Sequence, residues 1–178
     1  MLDLVGKLVG CRVFAVHRLD EETSGAMIFA LDEETKVALE EMFRSHAIER
    51  HYLALLASAP SPAAGRIDGP LAVDASGMVR VVRTGGQKAI THYETIERRG
   101  RCCLVRCRLE TGRRNQIRAH MAAMGCPLAG DRKYGFRARV GESFPRVMLH
   151  SWLLRFRHPA TNVEVEVVVA PQELELRP

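Results

Sequence analysis

The chain has 178 residues, of which 47% are hydrophobic and 26% are charged, and its formal net charge is +5. This length fits one domain, and the apolar runs are much shorter than the roughly 20 residues needed to cross a bilayer. The five cysteines are odd in number and lack paired metal-ligand spacing, which disfavours a disulfide framework and a zinc site. We therefore expect one cytoplasmic domain over residues 1–178, with no membrane segment and no metal. The positive charge suits a polyanionic partner but is weak support by itself.

The first half of the chain predicts a strand, a helix and a second strand. The apolar run at 26–31 has the length of a strand, and Asp32 is a good N-cap for a helix over 33–46. A strand follows over 50–57, and a loop rich in proline and glycine covers 59–65. The expected buried stripe of the helix consists of Val37, Leu39, Met42 and Phe43.

The second half predicts more strands and one further helix. Strand-like runs cover 78–83, 88–97 and 101–110. A helix is expected over 114–124, because Gly125 and Pro127 form a strong stop signal. Valines alternate along 163–169 in the pattern of a half-buried strand. This mixture predicts an α+β fold, with a mixed, largely antiparallel β-sheet and flanking helices.

Two polar stretches could carry chemistry. Asp20 lies in a polar turn between an apolar segment and the strand expected at 26–31, and taken alone it fits a turn-capping aspartate. The stretch 111–120 ends a strand, turns at Gly112 and opens a helix that carries several cationic side chains. A helix N-terminus near arginines is a suitable phosphate site, because its free N–H groups and its dipole favour anions. By itself, this second stretch predicts only that an anion binds there.

Together the two stretches resemble the RluA-type pseudouridine synthases, which isomerise uridine in RNA. The segment 17–25, HRLDEETSG, resembles the catalytic motif of that family, and the segment 111–120, TGRRNQIRAH, is similar to its later signature. Segments 50–54 and 125–135 resemble the stretch with the family's active-site tyrosine and the loop after the helix. The matches follow the family's order over about residues 12–170, which a chance motif match would not do.

The resemblance implies a uridine isomerase that acts on ribosomal or transfer RNA without cofactor or metal. It implies that Asp20 is the catalytic carboxylate, that Arg118 is its cationic partner, and that Tyr52 stacks on the flipped uracil. It also implies that Arg18 enters the space that the base vacates. Three first steps stay open: attack of Asp20 on the sugar, attack on the base, or abstraction of a sugar proton. The implied RNA-contacting residues are Arg18, Thr23, Arg113, Arg114, Gln116 and Ile117.

The sequence also departs from the family's pattern. Arg114 and Asn115 stand where the family usually has Thr-His or Ser-His, and we expect this change to tune RNA contacts. The strands and the Asn-Lys-Pro-x-Gly segment that normally open the catalytic domain do not occur in this sequence. We expect either a shortened domain or fragment, or a homo-oligomer in which another copy completes the sheet.

Two other functions are compatible with parts of the sequence. A catalytically silent RNA-binding relative would keep the fold, although the joint presence of Asp20, Tyr52 and Arg118 argues against it. A glycosidase usually needs two carboxylates that flank the scissile bond. Glu21 and Glu22 adjoin Asp20, but nothing in their turn places a second carboxylate across a sugar.

Overall fold

The computed structural model describes residues 1–172, and none of the helices in that range is long and apolar enough to cross a membrane. A short 3-10 helix covers Arg132–Tyr134. In chain order the other elements are α1 (Leu2–Val9), β1 (Phe14–Ala15), β2 (Ser24–Gly25), β3 (Phe29–Ala30), α2 (Glu33–Arg44), β4 (Glu49–Leu56), β5 (Ala64–Asp68), β6 (Leu71–Val73), β7 (Val79–Val81), β8 (Ile90–Arg99), β9 (Cys102–Leu109), α3 (Gln116–Ala123), β10 (Leu149–Arg157) and β11 (Glu164–Val168).

Seven strands form the main sheet. Six of them lie in the order β11-β10-β4-β9-β8-β5 with antiparallel neighbours, and β2 adds a short parallel pairing to β10. Two antiparallel ribbons, β1–β3 and β6–β7, lie outside it. The predicted α+β fold with a mixed, largely antiparallel sheet is confirmed.

Strand β4 is buried on both faces, which explains its nearly continuous apolar run. Because successive side chains of a strand point to opposite faces, Tyr52, Ala54 and Leu56 share one face. That face packs in a core cluster with Ile117 and Met121 of α3. The alternate residues of β4 pack in a second cluster with side chains from 129–148. The face of β4 that carries Tyr52 is thus packed against α3.

Helix α2 begins as predicted, but its expected buried stripe is partly wrong. The Asp32 carboxylate accepts a hydrogen bond from the backbone N–H of Thr35 at 2.7 Å, so Asp32 is the N-cap. Leu39 is buried, whereas 61% of Val37 is exposed. Two residues along a helix correspond to a rotation of about 200°, so Val37 lies on the face opposite Leu39.

The strand predicted over 26–31 is wrong in its extent. The chain first pairs with β10 through Ser24–Gly25, and then pairs with β1 through Phe29–Ala30. Leu31 is 59% exposed. The segment therefore pairs with two different strands and does not form one continuous strand. Residues of the apolar run pack in a third core cluster together with residues of α2.

The polar turn that contains Asp20 is fastened to β10. Gly25 has φ +108°, and a Cβ at this position would collide with the backbone oxygen of Ser151, so glycine is required. The hydroxyl of Ser24 lies 2.7 Å from Nδ1 of His150 and accepts a hydrogen bond from Nη2 of Arg146 at 2.6 Å. These contacts fix the end of the turn on the main sheet.

His17 fixes the other end of the turn and must be uncharged to do so. Its Nε2 accepts a hydrogen bond from the backbone N–H of Ile28 at 2.9 Å, and its ring stacks on Phe43 with centroids 4.4 Å apart. Burial, helped by the nearby Arg50 cation, lowers the pKa of His17 to about 4. Protonation would place a hydrogen on the accepting nitrogen.

Acid should therefore destabilise the native state through His17. In the unfolded chain the group titrates near pH 6.5, so its contribution is complete above that pH and is lost as the pH falls towards about 4. We expect this loss to approach about 3 kcal/mol. The measurement is the free energy of unfolding from urea titrations between pH 7 and pH 4, compared with His17→Gln. Equal losses in the two proteins would contradict the assignment.

Leu128 tests the main core cluster. Its side chain is fully buried beside Tyr52 and Ile117, so Leu128→Ala should lower the free energy of unfolding by about 2–5 kcal/mol. The matched control is Val37→Ala on the exposed face of α2, which should change stability by less than about 0.5 kcal/mol. Urea denaturation measures both. Similar losses would show that the cluster does not carry the predicted share of stability.

Candidate active site

A cavity of about 440 Å³ opens between the Asp20 turn, strand β4 and the turn that precedes α3. Its size falls within the range of about 300–1,000 Å³ that is typical of small-ligand pockets. Within residues 1–172, its lining contains a single carboxylate, that of Asp20, against five arginines and two histidines. These seven residues are Arg18, Arg44, Arg50, Arg113, Arg114, His17 and His46. The cavity suits an anionic ligand.

Asp20 is half-buried in this cavity. Its carbonyl oxygen accepts a hydrogen bond from the backbone N–H of Thr23 at 2.9 Å, which closes the turn. Burial raises the pKa of Asp20 above 3.8, and the negative charge of Asp131 acts in the same direction. The positive charge of Arg118, a backbone hydrogen bond from Asn115 and the charge of Arg18 all oppose the rise. The site thus desolvates a carboxylate while supplying groups that favour its ionised form.

Arg118 is a buried cation fixed by two residues. Its Nε and Nη2 donate to the two carboxylate oxygens of Asp131 at 2.7 and 2.9 Å, and its Nη1 donates to Oδ1 of Asn115 at 3.2 Å. Its guanidinium also lies 5.0 Å from the centre of the Tyr134 ring. The sequence predicted Asp20 as the partner of Arg118. In the structure Arg118 acts on Asp20 through its charge, and its hydrogen bonds with a carboxylate go to Asp131.

Asn115 explains why α3 begins later than the predicted residue 114. Its backbone has φ +53°, a left-handed conformation that asparagine adopts more readily than most residues, so helical geometry starts at Gln116. Its backbone N–H donates to the Asp20 carboxylate. The sequence predicted only an anion at this helix N-terminus, and in the structure the carboxylate of Asp20 accepts the hydrogen bond there. Asn115 is itself buried, so it supports Asp20 from inside the protein.

Gln116 braces the same turn from the opposite side. Its Oε1 accepts hydrogen bonds from the Thr111 hydroxyl at 2.8 Å and from the Arg113 backbone N–H at 3.0 Å. Its Nε2 donates to the Ile90 carbonyl and the Thr91 hydroxyl, both at 2.9 Å. Gln116 borders the cavity, but its amide is fully engaged with the protein, so its geometry fits a brace better than the predicted RNA contact.

Tyr52 and Ile117 form apolar walls of the cavity. Both are buried, and both also belong to the core cluster between β4 and α3. Burial raises the pKa of Tyr52, so its hydroxyl stays protonated over the physiological range. The two side chains thus present a rigid, uncharged surface beside Asp20.

The remaining predicted residues lie around the mouth of the cavity. Arg18, Arg113 and Arg114 are exposed there, and Thr23 is half-buried. Nε of Arg113 donates to the Lys88 carbonyl at 3.1 Å, and Nη2 of Arg114 donates to the Gly77 carbonyl at 2.7 Å.

The structure therefore brings the predicted site together. Eight of the nine predicted residues line the cavity, and the ninth, Arg118, acts on Asp20 from outside the lining. The sequence assigned no role to Asp131 or Arg50 beyond their places in motif segments, and for Asn115 it predicted only a tuning of RNA contacts. Their only signal was a polar residue type inside those segments. No group of three or more His, Cys, Asp or Glu side chains within residues 1–172 is placed to hold a metal ion.

Known proteins resemble this chain over most of its length. The family model for RNA pseudouridylate synthase matches residues 2–123. RNA pseudouridine synthase 2, chloroplastic, of Oryza sativa subsp. japonica is 36% identical over 186 residues, which cover 89% of this chain and 42% of that protein. Ribosomal large subunit pseudouridine synthase D of Zymomonas mobilis subsp. mobilis is 36% identical over 185 residues, which cover 96% of this chain and 58% of that protein.

A solved structure extends the agreement to the fold. Human RNA Pseudouridylate Synthase Domain Containing 4 superposes with a TM-score of 0.77 at 25% identity, over 96% of this chain and 77% of that one. The chain spans about half the length of the two curated relatives. The family match, the shared fold and the cavity around Asp20 agree, and the chain belongs to the RNA pseudouridylate synthase family.

Proposed function

We propose that this chain isomerises uridine to pseudouridine in structured RNA, with Asp20 as the catalytic carboxylate. The observation that carries the proposal is the placement of Asp20. It is a half-buried carboxylate in a cationic cavity, and the fixed charge of Arg118 favours its ionised form. An ionised, positioned carboxylate can act as a nucleophile or as a base.

The proposed reaction rearranges bonds without net oxidation. The bond between ribose C1′ and base N1 breaks, the base turns, and a bond forms between C1′ and C5. The proton on C5 leaves and N1 takes up a proton, so that product and substrate have the same composition. Asp20 can start this sequence at the sugar or at the base, or by abstracting a sugar proton. All three first steps need the ionised carboxylate that Arg118 favours.

The walls of the cavity fit an extruded base. A uridine inside a stem must leave the stack before Asp20 can reach it, which costs a few kcal/mol. Tyr52 and Ile117 offer a flat aromatic ring and an aliphatic contact for the uracil. Arg18 is exposed at the mouth and is proposed to enter the vacated space. Arg113 and Arg114 at the same mouth are proposed to contact the RNA backbone.

The name of the Zymomonas relative supports large-subunit ribosomal RNA as the first substrate to test. Transfer RNA is the second. Both contain structured uridines, and the residues that line the cavity do not distinguish between them. Unmodified transcripts of each RNA, labelled with tritium at C5 of uridine, test both proposals, because the reaction releases that tritium to water.

Replacement of Asp20 tests the chemistry. Asp20→Asn keeps the shape of the side chain but removes its charge, so tritium release should fall on the order of 10³-fold or more. The matched control is Glu21→Gln in the same turn, where the side chain is exposed and should be dispensable. Loss of release in both variants would favour a two-carboxylate mechanism. Absence of release in the parent chain, with RNA binding retained, would favour the silent RNA-binding relative.

The pH profile tests the electrostatics of the site. Because Asp20 acts when ionised, kcat/KM should rise with pH through the pKa of Asp20, which burial places above 3.8. The charge of Asp131 contributes to that elevated pKa, and Arg118 keeps its hydrogen bond to Asn115 when Asp131 is replaced, so Asp131→Asn should move the acid limb to lower pH. The control is Asp74→Asn, an acid that pairs with Arg80 away from the cavity and should leave the limb in place. A shift to higher pH in Asp131→Asn would contradict this account.

A further inference from the structure

Arg50 is a buried cation that has no salt-bridge partner among the residues that the structure describes. It lies on β4, only 7% of it is exposed, and it lines the cavity. Its Nε and Nη2 are enclosed and have no hydrogen-bond partner among residues 1–172. Its guanidinium lies 5.8 Å from the centre of the Phe43 ring, an apolar neighbour that leaves its donors free. Burial lowers the pKa of Arg50, which records the cost of this environment for a charge.

Comparison with Arg118 shows how unusual this state is. The two arginines are almost equally buried, at 7% and 9% exposed. Arg118 uses its planar fork on both oxygens of Asp131, whereas the enclosed nitrogens of Arg50 bind nothing. A buried charge with no partner costs several kcal/mol of desolvation. A fold that keeps Arg50 here without a partner is prepared for an anion that arrives from outside.

The backbone leaves space for the Arg50 guanidinium. A Cβ at residue 112 would collide with Nη1 of Arg50, so the absence of a side chain at Gly112 allows the guanidinium to lie against the turn that leads to Arg113. The position of the cation therefore depends on the same turn that carries Asn115 to Asp20.

We infer that Arg50 is a binding site for a phosphodiester of the RNA strand that presents its uridine to Asp20. This inference rests on the proposed function and adds the ligand of a residue to which nothing else assigns a role. Arg50 and Tyr52 are two residues apart on β4, so their side chains point to the same face about 6–7 Å apart along the strand. One rigid strand thus offers an aromatic ring for the base and a guanidinium for the phosphate.

The chemistry of the cavity favours a phosphate over other ligands. Uracil and ribose are uncharged, so the phosphodiesters are the groups of RNA that can neutralise a buried guanidinium. Arginine matches phosphate through charge-assisted N–H···O bonds, and Arg50 lines the cavity from which a phosphate would approach its guanidinium. The other four arginines of the cavity are exposed, and they would guide the same strand inwards.

Salt-dependent binding to decauridylate RNA tests the inference. Arg50→Met replaces the cation with an apolar side chain of similar length. Loss of one phosphate contact should reduce the slope of log K against log salt by about 0.7 and weaken binding at low salt by roughly tenfold or more. Arg50→Lys should keep the slope, because it keeps the charge. Fluorescence anisotropy of the labelled RNA over a series of KCl concentrations measures both quantities.

The matched control removes an arginine from a neighbouring strand. Arg106 on β9 pairs with Glu94 and lies outside the cavity, so Arg106→Met removes the same charge but should leave the slope nearly unchanged. Equal changes of the slope in the two variants would show that the effect depends only on net charge, and would overturn the inference. An unchanged slope in Arg50→Met would overturn it directly.

Thermal unfolding excludes a purely structural role for Arg50. Since the cation has no partner, the melting temperature of Arg50→Met should equal or exceed that of the parent chain. A large fall, or failure to fold, would show that Arg50 is needed for packing and would overturn the inference. The binding assay does not depend on turnover. If the parent chain has no isomerase activity but Arg50→Met changes the slope, the phosphate site is supported and the proposed function is refuted. If the parent chain is active but Arg50→Met leaves the slope unchanged, the proposed function is supported and the phosphate site is refuted.

Discussion

The buried ion pair between Arg118 and Asp131 fixes the geometry on which the active site depends. It joins α3 to the segment that follows it, and Asp131 also accepts a hydrogen bond from the backbone N–H of Tyr134 at 3.2 Å. Loss of one partner would leave the other charged and buried, at a cost of about 3–5 kcal/mol. Because Asp131 holds the guanidinium and Asn115 bonds to both Arg118 and Asp20, the cation stays in a fixed position near the Asp20 carboxylate.

Most of the fold was predictable because local patterns and tertiary packing agree. The Asp32 cap and the stop at Gly125 are short-range signals, and the structure confirms both helices that they delimit to within a few residues. The apolar run at 26–31 was misassigned because it packs as a corner between β10 and β1, which depends on residues more than 100 positions away. Val37 was predicted to be buried because it is hydrophobic, but its angular position on α2 places its side chain on the exposed face.

The site was predictable as a set of positions but not as a network. Motif spacing singled out Asp20, Tyr52 and Arg118, and the structure brings them together around one cavity and its surroundings. It did not show that Arg118 bonds to Asp131, because a pair of side chains 13 residues apart forms only after α3 has packed. Motif spacing also did not show that Nε and Nη2 of Arg50 have no hydrogen-bond partner among residues 1–172. The folded environment of a side chain determines which partners it has.

The proposed RNA substrate would bring additional negative charge into the cavity, and the arginines of the cavity lining can offset that charge. Each phosphate that enters adds negative charge near Asp20 and displaces water, and both effects raise the pKa of a carboxylate, as Asp131 and burial already do. If Arg50 on β4 neutralises the nearest phosphate, that phosphate would raise the pKa of Asp20 less. Within residues 1–172 the cations that line the cavity are arginines and none is a lysine. Arginine keeps its proton when it is desolvated, whereas buried lysine readily loses it, so arginine would keep its positive charge near Asp20 while the proposed RNA substrate excludes water from the site.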